Sequence, residues 1–133
     1  MEVLIALAAL SAIIGFSYST STRAQKIAQL NQDRATATKH AETQLERIRA
    51  KRDKDGITAL TSALPAGEFC LVPSGTNFEI KLTTDTACSL GTIFTQRVTY
   101  DTPDKLFTVV VDWENYTGNT GTRDQVQMVY RLR

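Results

Sequence analysis

The stretch SYSTSTRAQKIAQLNQDRATATKHAETQLERIRAKRDKDG, residues 17–56, decides the fold. It holds no Pro and no Gly before its last residue, and Ala, Gln, Glu, Lys, Arg and Leu, all strong helix formers, fill most of it. Ile27, Leu30, Ala37, Ala41, Leu45 and Ile48 recur in steps of three and four, a narrow stripe that lapses only at Arg34. Ala24, Ala28, Ala35 and Ala50 flank the stripe with small side chains that permit close packing. The pattern predicts one amphipathic helix over 17–55. Gly56 is its natural stop, since a glycine accepts the left-handed conformation that closes many helices. The run RIRAKRDKD, residues 47–55, crowds cations into the last turns, where they oppose the negative end of the helix dipole.

Upstream lies MEVLIALAALSAIIGF, residues 1–16. A secretory signal begins with a basic residue and ends at a small-residue cleavage site; here the one charge is Glu2, and no such site is evident. A membrane span needs about 20 apolar residues. The apolar run from Val3 to Phe16 is shorter and is broken by Ser11. Between this segment and the amphipathic helix, GFSYSTSTR brings Gly15 and a Ser/Thr series whose side chains compete for backbone hydrogen bonds. That joint reads as soft, able to be helical or extended.

Downstream of Gly56 the period changes. ITALTSALPAG, residues 57–67, reads as a short helical turn or loop ended by Pro65 and Gly67. Five segments then carry β character: 68–72, 77–82, 92–100, 106–113 and 125–132. Turn signals at Pro73-Ser74-Gly75, at 101–104 and at 115–121 separate them, and short connections favour antiparallel neighbours in a meander. Val109 and Val111 alternate with Val110 and Asp112; Val126, Met128 and Tyr130 alternate with Gln125, Gln127 and Val129. One face is drier than the other and needs a cover, which the long helix supplies. The expected class is α+β: a helical spine laid on a small antiparallel sheet. The expected segments are 1–16 apolar, 17–56 amphipathic spine and 57–133 β head.

Charge is polarised along the chain. Residues 17–56 carry nine Lys/Arg against five Asp/Glu; residues 57–133 carry six against eight; the net over 133 residues is +1. That near balance argues against a general nucleic-acid binder. Cys70 and Cys88 have no His or second Cys pair nearby to build a zinc site, so they read as one disulfide in an oxidising compartment, with two free buried thiols as the alternative. His40 stands alone, with only Glu42 near it at ligand spacing, and reads as a solvated helix histidine. Asp112 and Glu114 flank Trp113 and read as surface carboxylates. Asn115-Tyr116-Thr117 matches the glycosylation sequon, a weak three-residue signal. No nucleophile elbow, P-loop, zinc-protease helix or dinucleotide fingerprint occurs. No catalytic, cofactor or metal site is expected, and so no enzyme.

With catalysis set aside, the opening EVLIALAAL resembles the N-terminus of type IV pilins and type II secretion pseudopilins. In that family a prepilin peptidase cuts after a glycine, ahead of Phe-Thr-Leu-Ile-Glu or a variant. The resemblance places Glu2 on the family glutamate and Met1 on the apolar residue before it. That glutamate is the fifth residue of the mature chain in the family. RATATKHAETQLERIRA, residues 34–50, is similar to the second half of the pilin spine. TVVVDWENYTGNTGTRDQVQMVYRLR, residues 108–133, resembles the last hairpin of minor-pilin heads.

The resemblance implies a structural subunit of an extracellular filament on the cell surface, held in the cytoplasmic membrane before assembly and handled there by prepilin peptidase and the pilus machinery. Its partners would be identical subunits in a helical polymer. Ile5, Leu7, Leu10, Ile13 and Ile14 would make the filament core, and Glu2 would pair with a neighbour's N-terminal ammonium. An ionised carboxylate in an apolar bundle costs several kcal/mol unless paired, so only the docking that pairs it is tolerated. Gly15, Ser17, Ser19 and Thr20 would lose helicity on assembly, and the basic spine would face acidic heads of neighbours. Membership also brings N-terminal methylation and roles in adhesion or motility. Two other readings stand beside the major subunit. One is a low-copy minor pilin or a secretion or competence pseudopilin. The other is a membrane-anchored domain that binds a ligand or nucleic acid through 47–55 or through the 115–121 loop.

Overall fold

The computed structural model describes residues 2–91, 93–114 and 123–132. In chain order the elements are α1 (Glu2–Asp55), α2 (Ile57–Ser62), β1 (Phe69–Ser74), β2 (Asn77–Leu82), a 3-10 turn at Thr86–Cys88, β3 (Ser89–Leu90), β4 (Phe94–Asp101), β5 (Leu106–Glu114) and β6 (Arg123–Arg131). The chain forms two packing units, one ending at Asp33 and one from Arg34 onward.

In the first unit α1 is helical throughout. The Ser/Thr series does not break it, because the hydroxyls bond back onto the helix's own carbonyls. Ser17 donates to the Ile13 carbonyl (2.9 Å), Thr20 to those of Phe16 (3.2 Å) and Ser17 (3.0 Å), and Thr22 to that of Ser19 (3.0 Å). The single chain therefore takes the helical alternative at Gly15, Ser17, Ser19 and Thr20.

The second unit is α+β. From Ala37 onward the helix buries Ala37, Ala41, Leu45 and Ile48 in one core with Phe69, Leu71, Val98, Phe107, Val109, Val111 and Trp113. These are the last four residues of the stripe that the 3–4 spacing marked out, meeting the drier faces of the strands; its first two are not in this core, Ile27 being exposed and Leu30 half-buried. Gly56 ends α1, but with φ +83° and ψ 160°, not in the left-handed helical region expected for it. That combination is open essentially to glycine alone, so the residue type follows while the cap geometry differs. Its amide donates to the Arg52 carbonyl (2.8 Å), and its carbonyl accepts from Leu60 in α2 (3.0 Å).

The sheet order is β2-β1-β4-β5-β6, all antiparallel, with β3 paired to β4. This corrects the expected meander: β4-β5-β6 is one, but β1-β2 is a separate hairpin that joins it through β4. The hairpin turn sits at Gly75-Thr76 rather than at Pro73-Ser74-Gly75. A two-residue turn of the II′ kind takes a glycine with positive φ first, and Gly75 has φ +59°. Pro73, which has no N–H to offer, is tolerated in β1 because β1 has left β4 by then and one side of the strand is unpaired.

β1 and β4 share a single register pair, Phe69 with Val98. Beyond it the buried Gln44 of α1 takes over the hydrogen bonds. Its amide nitrogen donates to the Leu71 carbonyl (3.1 Å) and to Oε1 of Gln96 on β4 (2.6 Å), and its oxygen accepts from the Leu71 amide (3.2 Å). Arg47 donates to the same Leu71 carbonyl (2.7 Å). One helix side chain thus acts as a strand residue between two strands that have parted.

Across the hairpin, Cys70 and Cys88 form the expected disulfide (Cα–Cα 5.7 Å), both fully buried. It ties β1 to the 3-10 turn. Three urea-denaturation outcomes are expected. Gln44→Ala strands the Leu71 amide in the core, leaves its carbonyl to Arg47 alone, and lowers unfolding free energy by about 1–3 kcal/mol. Glu46→Ala, on the exposed side of α1, stays within about 0.5 kcal/mol of the parent, both read by urea denaturation. Reducing the disulfide lowers stability by about 3 kcal/mol in the chain-entropy account, seen as a lower urea midpoint with reductant present.

Candidate assembly surface

The helix of the first unit carries large apolar side chains that the chain leaves in solvent. Val3, Leu7, Leu10, Ile13, Ile14, Phe16, Tyr18 and Ile27 are between 59% and 74% exposed. Val3, Leu7, Leu10 and Ile14 follow one another at steps of four, three and four, so they share one side of the helix. Of the expected assembly residues, Leu7, Leu10, Ile13 and Ile14 are on this surface. The side chains of Glu2 and Ile5 lie outside the described residues, as does Asn115 of the sequon. Single exposed apolar residues are ordinary on a protein surface; here seven of the eight fall between Val3 and Tyr18 and are spread round the helix, the composition of a helix that is covered on more than one side. Among the described residues, no helix is long and apolar enough to cross a membrane.

The basic run at the end of α1 is largely engaged within the chain. Arg47 is held at Leu71; Arg49 pairs with Glu46 (2.6 Å) and lies over the Tyr130 ring (5.0 Å to its centroid). Lys51 pairs with Asp55 (2.8 Å), and Arg52 with Asp53 (2.6 Å) and the Tyr130 hydroxyl. Lys54 reaches the Asn77 side chain. The hydrogen bond to Asp53 raises the Arg52 pKa, and burial lowers that of Arg47. These cations pin the helix end to the sheet and to itself, so a phosphate backbone approaching them meets groups already partnered.

Two site residues differ from their sequence reading. Asp112 is buried, not a surface carboxylate, although it lies on the sheet face turned away from the core valines. Arg97 of β4 (3.2 Å) and Arg123 of β6 (3.0 Å) flank it, and Arg97 also pairs with Glu68 (3.2 Å). A carboxylate with a cation on each neighbouring strand is covered by their stems while its charge is met. Glu114, the other carboxylate beside Trp113, is exposed as expected. His40 is half-buried, its ring 5.6 Å from that of Phe94, which in turn lies 6.0 Å from Trp113. The helix turns this histidine toward the sheet because it lies three residues beyond the buried Ala37.

A cleft of about 500 Å³ beside α2 is lined by Thr58, Thr61, Leu64, Pro65, Tyr100 and Thr102 among others, with no carboxylate, imidazole or charged side chain in its wall. Among the described residues, no three His, Cys, Asp or Glu side chains converge as a metal site requires. Sequence reasoning missed Gln44, Gln96 and the Arg97–Asp112–Arg123 cluster. A polar residue at a helical step within an apolar stripe, as Gln44 is between Ala41 and Ile48, was the available signal for the first. Comparisons with family models, with curated proteins and with solved structures give no match to this chain.

His40 supplies a pH test. Burial first, then Arg47 and Lys39, lower its pKa in the folded chain. The unfolded chain therefore binds the proton more readily. The stability that His40 contributes is fully present above its unfolded value, about 6.5, and declines as pH falls below that toward the lower folded value. The urea midpoint of the parent falls between pH 7.5 and pH 5.5, and His40→Gln removes part of that slope.

Proposed function

We propose that this chain is a structural subunit of a type IV pilus-like extracellular filament, the major subunit, which polymerises through its N-terminal helix. The observation that carries the reading is the apolar surface from Val3 to Ile27, left in solvent on a helix whose later turns bury their own apolar stripe in a β core. Burying a large apolar side chain is worth about 2 kcal/mol. Covering even half of the eight residues in a bundle of like helices outweighs much of the entropy lost on docking. The resemblance of EVLIALAAL to the pilin N-terminus, and a helix-on-sheet head stapled by a disulfide, fit the same reading.

In this reading the helix rests in the cytoplasmic membrane until prepilin peptidase and the assembly machinery pass it into the polymer. Glu2 pairs with the N-terminal ammonium of a neighbour and sets the register. Cations of the spine such as Arg23, Lys26 and Arg34 meet acidic residues on adjoining heads, making lateral contacts that weaken with salt.

The test is recovery of the protein from sheared cell-surface material, with intact mass, N-terminal sequence and electron microscopy. Abundant chain in filaments supports the reading, and any excess mass reports methylation or glycan. Leu10→Asp removes the chain from the sheared fraction while its disulfide still forms and its head keeps the parent's urea midpoint. A chain that stays with the membrane and is absent from filaments overturns the major-subunit reading and favours a minor pilin, a pseudopilin or an anchored binding domain.

A further inference from the structure

Both edges of the sheet are strands, and they are guarded unequally. β2 is short, carries the Glu79–Lys81 ion pair (3.2 Å), and has its end closed by the following turn, where the Asp85 amide donates to the Leu82 carbonyl (2.9 Å) and Cys88 Sγ lies 3.3 Å from the same oxygen. β6 runs nine residues in unbroken register with β5, from Arg123 opposite Glu114 to Arg131 opposite Leu106. It contains no Pro, Lys or bulge, and among the described residues no strand pairs with its outer side. Folded proteins usually protect such an edge, because its free N–H and C=O groups template another strand; a long, regular, unprotected one is suited to pairing.

We propose that β6 is a self-pairing edge: two copies of the chain join antiparallel through Gln125–Arg131, Met128 facing Met128, so that the sheet continues from one head into the other. The occupant follows from the strand's own side chains. Directly opposed residues point to the same face, so two heads that keep their cores on one side must pair about a residue, not between two. Centring on Gln127 sets Arg123 against Arg131 twice, a like-charge clash. Centring on Val126 sets Asp124 against Met128 on the apolar face. Centring on Met128 avoids both: Val126 faces Tyr130 and Met128 faces itself on the core side, while Gln127 faces Val129 and Gln125 faces Arg131 on the other. Within Gln125–Arg131 the apolar pairs are of the stabilising kind and no charge meets its like; centring on Val129 engages only Gln127–Arg131, a shorter run of β6.

This two-fold contact uses none of the N-terminal helix, so it stands apart from the filament reading and would join heads that belong to different assemblies. It is tested on the full chain in mild detergent, native disulfide intact, by oxidation and non-reducing mass analysis. Met128→Cys forms a covalent dimer, since opposed residues in a pair bring their Cβ atoms to about 5 Å or less, within small adjustments of disulfide reach. The exposed pair Gln127→Cys with Val129→Cys also crosslinks, while each of these alone gives roughly tenfold less dimer, because its own counterpart lies a diagonal step away, about 7–8 Å. The exposed pair keeps the test valid should Met128→Cys disturb the core. Absence of dimer from both designs overturns the proposal. Strong crosslinking of Gln127→Cys alone, or equal crosslinking of all variants, overturns it as well, the first by showing another register and the second by showing contact without β6 pairing.

Discussion

The second packing unit depends on one buried carboxamide. β1 and β4 share a single pair before they separate, and a gap between two strands in a core leaves peptide groups with nothing to bond. Gln44 fills that gap, offering donor and acceptor to Leu71 and a second donor hydrogen to Gln96. A primary amide is suited to this work because it carries both functions at the spacing of a peptide bond. The same contact orients α1: with Gln44 held between β1 and β4, the helical steps deliver Ala37, Ala41 and Ile48 to the core and His40 to Phe94.

α1 therefore serves two environments with one backbone. From Ala37 onward its small and branched residues are spent on the sheet, and its cations hold the helix end at Tyr130, Leu71 and Asn77. Before Asp33, among the described residues, the large apolar side chains from Val3 to Tyr18 and Ile27 are exposed. The Ser/Thr run within the first unit keeps its hydroxyls on carbonyls one turn back, a pattern that satisfies the hydroxyls in apolar surroundings as readily as in water. Under the proposed filament reading, that is the property a segment moving between membrane, polymer and solvent needs.

The outer face of the sheet follows a different logic. Asp112 sits where alternation places a side chain away from the core, yet it is buried, because Arg97 and Arg123 reach across from both neighbouring strands. With Glu68 the cluster links four strands: β4, β5 and β6 directly, and β1 through the residue just before it. Together with the disulfide at β1, it gives a small head cross-links on the face that the helix leaves bare.

Much of this was legible in residue order. The 3–4 stripe and the absence of Pro and Gly marked the helix; alternation marked four of the strands nearly to their ends; two cysteines marked the staple. These depend on local period and chemistry, which each segment carries by itself. The exposure of the first helical unit was legible only as composition. What residue order did not contain was the choice of non-local partners: that β1 leaves the meander to pair with β4, that the turn falls at Gly75-Thr76, that Gln44 replaces a missing strand pair, and that Asp112 is enclosed by arginines 15 positions before it and 11 after it. A side chain's burial is set by what packs over it from elsewhere in the chain. The sequence by itself determined the helix, the strands and the disulfide; the tertiary structure alone decided which strands are neighbours and which polar groups the core must satisfy.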